Sequence, residues 1–145
     1  MESSLSENIK TVRARIRMAA ERAARSAENI KLVAVSKTHR AVMVEEAISA
    51  GLHFFGENKV QEAEGKINAV GREGIEWHLI GHLQSNKARR AVQLFDVIQS
   101  VDSVDIGSRL ERICFQRSRT AGVAESRAAW HTGIHASRFP GHARA

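Results

Sequence analysis

The feature that most constrains this chain is the alternation of short apolar, β-branched runs with longer segments of helical period. Lys31-Leu-Val-Ala-Val-Ser36 is such a run, and Ala41 to Ala50 follows it as a helix closed by Gly51. Leu52-His-Phe-Phe55 repeats the pattern, ending at Gly56, with Asn58 to Val70 as its helix and Val60, Ala63, Ile67 and Val70 as the apolar stripe. After a loop from Gly71 to Gly74, Glu76-Trp-His-Leu-Ile80 and Asn86 to Leu94 form a third unit. Phe95-Asp-Val-Ile98 and a helix from about Val104 to Cys114 form a fourth. Before all of these, Leu5, Ile9, Val12, Ile16, Ala19, Ala20, Ala23 and Ala27 recur at intervals of three and four, so Ser4 to Glu28 reads as one amphipathic helix. Strands that alternate with helices of this length require right-handed crossovers and a parallel sheet, so the fold class is α/β.

Composition narrows the function. The formal charge is +6, but Phe115 to Ala145 holds five arginines, no lysine and one acid, leaving only +2 on Met1 to Cys114. A nearly neutral body with no tyrosine lacks the basic, aromatic-lined groove of a nucleic-acid binder, so that class is set aside. No apolar run approaches the roughly 20 residues needed to cross a bilayer, and the N-terminus is polar, so a cytoplasmic protein with no membrane partner is expected. The lone Cys114 permits no intrachain disulfide, and no thiolate pair is available for a metal.

In parallel α/β folds the functional groups collect where strands end. The strand ends here carry Ser36, Lys37, Thr38 and His39; Gly56, Glu57 and Asn58; Gly81, His82, Gln84, Ser85, Asn86 and Lys87; and Gln99, Ser100 and Asp102. Polar residues also occur at strand ends simply because those ends meet water. Lys37 stands out, since a lysine at the end of a buried strand beside apolar neighbours sheds its proton more readily and becomes a Schiff-base nucleophile toward an aldehyde. A solvated lysine is the plainer reading of the tetrapeptide alone. His78 lies within a strand, where a histidine is more often a hydrogen-bonded core residue than a ligand, and no second histidine stands at metal-binding spacing. Glu57 and Glu62 could form an acid pair or serve as helix-capping and surface residues.

Taken together, Leu32-Val-Ala-Val-Ser-Lys-Thr38, Phe55-Gly-Glu-Asn58 with Val60-Gln-Glu62, Glu76-Trp-His-Leu-Ile-Gly81 with Leu83-Gln-Ser-Asn-Lys87, and Ser100-Val-Asp102 resemble the successive motifs of the YggS/PROSC family of pyridoxal phosphate homeostasis proteins. The resemblance runs from about Ser4 to about Cys114. It implies a (β/α)₈ barrel of the TIM type, similar to the N-terminal domain of alanine racemase, of which about the first four units are present. It also implies pyridoxal 5'-phosphate as cofactor, held as a Schiff base on Lys37 with Asn58 and His78 nearby, in a protein that buffers the cofactor without catalytic turnover and can pass it to apoenzymes. A racemase-like enzyme is the alternative, and a basic nucleic-acid-binding module relying on the tail is a third reading. The tyrosine base and second domain of the racemases have no counterpart in this sequence.

The chain departs from the family pattern in three places. His39-Arg40 stands where a proline is common, and Lys59 where an aromatic is usual. After Cys114 the apolar periodicity stops, so residues 1–114 read as half of a barrel and 115–145 as a basic tail, disordered or frame-shifted, on a truncated gene. A complete barrel takes about 250 residues and grips phosphate with loops after its seventh and eighth strands, which this sequence does not supply. Four open strands would leave two unpaired edges, and self-association through them is expected.

Overall fold

The computed structural model describes residues 4–121, with side chains to residue 117. Its helices are α1 (Leu5–Arg22), α2 (Ala41–Ser49), α3 (Val60–Val70), α4 (Ala88–Leu94) and α5 (Val104–Ala121). Four strands alternate with them: β1 (Ala34–Val35), β2 (Phe54–Glu57), β3 (Glu76–Leu79) and β4 (Val97–Ile98). The strands form one sheet in the order β1-β2-β3-β4, parallel throughout. Sequential order combined with right-handed crossovers places every helix on the same face. The helices accordingly pack on one another in chain order, α1 on α2, α2 on α3, α3 on α4 and α4 on α5.

Local chemistry explains the boundaries. Ser4 opens α1 with a capping box: its hydroxyl accepts from the Glu7 amide at 3.3 Å while the Glu7 carboxylate accepts from the Ser4 amide at 3.0 Å. The helix stops at Arg22, short of the expected Glu28, because Ala24 takes a left-handed φ of 51° and turns the chain into a 3-10 turn at Ala27–Asn29. Gly51, at φ 86°, ends α2, and Leu52 is then buried in the core before the ladder begins. The second strand is therefore Phe54–Glu57 and not Leu52–Phe55, which draws Gly56 and Glu57 into it. The first strand shrinks to two residues of the expected six because it lies at the sheet edge and pairs only Ala34 with Phe55 and Val35 with Gly56. A 3-10 turn at Ser85–Lys87 precedes α4. Helix α5 runs past Cys114 to Ala121, and Arg117 donates to the Val92 carbonyl of α4 at 2.6 Å. Residues 115–121, read from the sequence as tail, thus continue a helix; 122–145 lie outside the described residues.

Strand side chains alternate between the two faces of a sheet. Phe55, Trp77, Leu79 and Ile98 point to the helices and are buried with Val44, Ala63, Ala88, Ala91 and Leu110. Trp77 is fully buried, tilted against Phe55 at 5.6 Å between ring centroids, and its indole donates to the Gly71 carbonyl at 3.2 Å. Among the described residues the opposite face carries no helix. Val35 there is 48% exposed, and Val33, Phe54, Ile80 and Val97 are only half-buried.

Candidate functional site

The site is built by register. Val35 pairs with Gly56, Gly56 with His78, and His78 with Val97, so these four residues form one layer on the helix-free face. The ladder continues beyond the strands through the amide of Ile80 on the Glu57 carbonyl and that of Gln99 on the Leu79 carbonyl, both at 2.9 Å. Lys37 lies two residues past β1 in a turn, and Asn58, Ile80 and Gln99 directly follow β2, β3 and β4, so all four sit at the C-terminal edge of the sheet.

Lys37 is exposed, with no ion-pair partner among the described residues. The apolar, buried setting expected from its strand is absent among the described residues, where β1 is the sheet's edge. The next residue, Thr38, has φ 66°, a conformation that costs a β-branched side chain free energy and that clusters at functional sites. Asn58 is half-buried where β2 leaves the sheet. Its backbone passes so close to Gly81 that a Cβ on Gly81 would stand 2.7 Å from the Asn58 Cα and nearer still to its carbonyl oxygen. Only glycine allows the loops after β2 and β3 to meet there.

His78 is buried in the row with Gly56 and Val97. Its Nδ1 accepts from Gln99 Nε2 at 2.8 Å, which puts the ring proton on Nε2. That Nε2 faces Glu76 Oε1 at 2.9 Å, but off the hydrogen-bonding direction, and it has no hydrogen-bond partner. Phe54 meets the imidazole edge-on at 6.4 Å, and Lys31 covers Phe54 at 4.9 Å while donating to Glu76 at 2.9 Å. Burial lowers the His78 pKa below its ordinary value, outweighing the nearby Glu76 carboxylate, so the ring is neutral at pH 7. Burial works to raise Glu76, yet the hydrogen bond and charge of Lys31 prevail and hold its carboxyl below the usual range.

Glu57 and Glu62 do not pair. Glu62 bridges Lys59 at 3.0 Å on the surface, whereas Glu57 is fully buried against Lys66, at 2.7 Å, and Ser36, at 2.6 Å. Lys66 carries no strand-end signal and is missed by motif reasoning; its place on α3, one turn after the buried Ala63, gives no hint of its partner. His82 and Asp102 meet at 2.8 Å, both exposed, at the C-terminal edge. A cleft of about 490 Å³ lined by Arg13, Arg17, His53 and Phe54 opens at the other end of the strands and touches none of Lys37, Asn58 or His78. No group of metal-ligating side chains is present among the described residues, and no helix there is long and apolar enough to cross a membrane.

No family model matches the chain. It is 47% identical over 108 residues to a pyridoxal phosphate homeostasis protein of Pseudomonas aeruginosa and 46% identical over 111 residues to that of Escherichia coli K12; each match covers 74% of this chain and 47% of the relative. Among solved structures it resembles PipY of Synechococcus elongatus PCC7942 with pyridoxal phosphate bound, at a TM-score of 0.60 and 46% identity, over 69% of this chain and 47% of PipY. It also resembles a protein of unknown function from Bifidobacterium adolescentis at a TM-score of 0.71 and 33% identity, over 77% of this chain and 50% of that one. The chain thus spans about half the length of the relatives it matches.

Proposed function

We propose that this chain, 46–47% identical to pyridoxal phosphate homeostasis proteins over 74% of its length, binds pyridoxal 5'-phosphate through Lys37 and holds it without catalytic turnover. The observation that carries this reading is that Lys37, Asn58 and Gln99 meet at the C-terminal edge of the sheet, with Gln99 bonded to the buried His78. The residues suit the group. Lys37 offers an exposed primary amine, Ile80 and Val33 close over Gly56 as an apolar floor, and His78 Nε2 is a buried polar atom lacking a hydrogen-bond partner. When bound, the cofactor supplies an aldehyde that combines reversibly with an amine, which is how a carrier limits its reaction with stray amines elsewhere. Lys37 provides that amine, Asn58 a polar wall beside it, and neutral His78 an uncharged floor that does not compete for the phosphate.

On this reading the four-stranded sheet is one half of a (β/α)₈ barrel, the helix-free face is its interior, and the protein is cytoplasmic, passing cofactor to apoenzymes. Residues 1–114 are the barrel-derived unit and 115–145 a basic appendage, with α5 spanning the division. The unpaired outer edges of β1 and β4 favour self-association, because two copies about a shared axis would supply eight parallel strands. Size-exclusion chromatography across a concentration series is expected to show a dimer, and a monomer throughout would remove that part of the proposal.

The test of function is borohydride trapping of the full chain mixed with pyridoxal phosphate, followed by peptide mapping. The label is expected on Lys37, with a visible absorption band that disappears in Lys37→Ala and no conversion of L-alanine to D-alanine. Label scattered over surface lysines would defeat the proposal.

A further inference from the structure

We propose that Glu57 and Lys66 form a positioning clamp that sets the direction of Lys37 by holding the hydroxyl and the carbonyl of the residue before it. The inference rests on the reading of Lys37 as the attachment point. Ser36 donates its amide to the Gly56 carbonyl at 3.0 Å and its hydroxyl to Glu57 Oε1 at 2.6 Å. Its own carbonyl accepts from Lys66 Nζ at 2.5 Å and from the His39 amide at 3.1 Å. Lys66 closes the ring by donating to the same Glu57 Oε1 at 2.7 Å. The Ser36 carbonyl belongs to the peptide plane that ends at the Lys37 Cα, so fixing it fixes where the Lys37 side chain starts.

The energetics argue against a device for stability alone. Glu57 is fully buried, the Lys66 side chain is 11% exposed, and Glu57 Oε2 has no hydrogen-bond partner. An ion pair this deep gains little over well-packed apolar residues, and an unsatisfied carboxylate oxygen adds a cost. Its return is orientation: the strained turn at Thr38 persists only if its surroundings over-determine it, and the clamp anchors the residue at which that turn begins.

The experiment compares the full-length chain with the double variant Glu57→Gln and Lys66→Met, which keeps side-chain volume and removes both buried charges together. Borohydride trapping with pyridoxal phosphate is mapped at Lys37 and, as internal references, at the exposed Lys10 and Lys59. Misplacement of a reacting group by about 1 Å costs up to a hundredfold in rate, so Lys37 labelling is expected to fall roughly ten- to a hundredfold while the reference lysines stay unchanged. Wild-type labelling of Lys37 in a variant with native circular dichroism would overturn the clamp. If the wild-type chain does not label Lys37 at all, the cofactor reading fails instead, and the clamp is judged without ligand by solvent exchange of the His39 amide. Faster exchange in the variant upholds it and equal exchange overturns it. Should the double variant not fold, Ser36→Ala removes the hydroxyl link alone, and a smaller loss of Lys37 labelling is expected from it; no loss has the same overturning force.

Discussion

The two faces of the one sheet follow opposite rules. On the helix side, Phe55, Trp77, Leu79 and Ile98 are almost wholly buried against apolar neighbours. On the other side, the same strands present Lys31, Glu76 and His78 in a linked polar group and leave Val35 48% exposed. A chain folded only to bury apolar surface would not place a salt-bridged glutamate and a neutral histidine beside exposed valines. The contrast indicates that one face holds the fold together while the other is open, and Lys37, Asn58 and Gln99 lie at the C-terminal edge of this sheet.

The contrast is broken most severely from the helix side. Trp77→Ala removes the largest fully buried side chain and its bond to Gly71, and is expected to cost about 3–5 kcal/mol, read by urea denaturation. A loss below about 1 kcal/mol would mean that the helix side is not the main core. Gly81→Ala tests the seam where the two faces meet at the C-terminal edge. Its new Cβ would press on the Asn58 backbone, which cannot rotate away as a side chain would, so a loss of about 1–3 kcal/mol is expected. Displacement of Asn58 should also lower trapping at Lys37; full trapping would separate Asn58 from the site.

These two substitutions also mark what was legible beforehand. The four strand–helix units were, because periods of two and 3.6 are properties of the sequence itself, and Gly51 and the Gly71–Gly74 loop punctuated them as expected. Strand limits were less so: Leu52 reads as strand but serves as core before the ladder, and the edge strand is trimmed to two residues by its lack of a second neighbour. The family motifs pointed to Lys37, Asn58 and His78; the first two lie just past β1 and β2 and the third within β3. What pattern could not reveal is depth. Nothing in Phe55-Gly-Glu-Asn58 says that Glu57 turns toward the helices and meets Lys66, nine residues on, because that depends on how α3 lies across β2. Nor could the sequence alone say that the periodicity lost at Phe115 would still continue as helix to Ala121.

The gentlest test lies in the pH dependence of the open face. His78 has a folded pKa held below the ordinary 6.5, chiefly by burial, so as pH falls through 6.5 the unfolded chain takes up a proton that the folded ring resists. Its contribution to stability is therefore present above pH 6.5 and declines below it, with a slope of at most about 1.4 kcal/mol per pH unit, until the folded ring is protonated too. Glu76 acts in a separate window: its depressed carboxyl stabilises the fold above about pH 4.5 and loses that contribution at lower pH. Subtracting the melting curve of His78→Gln from that of the wild type at each pH cancels the other histidines. The difference is expected to be flat above pH 7 and to slope between pH 6.5 and 5. A flat difference throughout would mean that water reaches the ring freely, and the open face would then be solvent-filled surface down to its floor, with no sheltered interior for a ligand to enter.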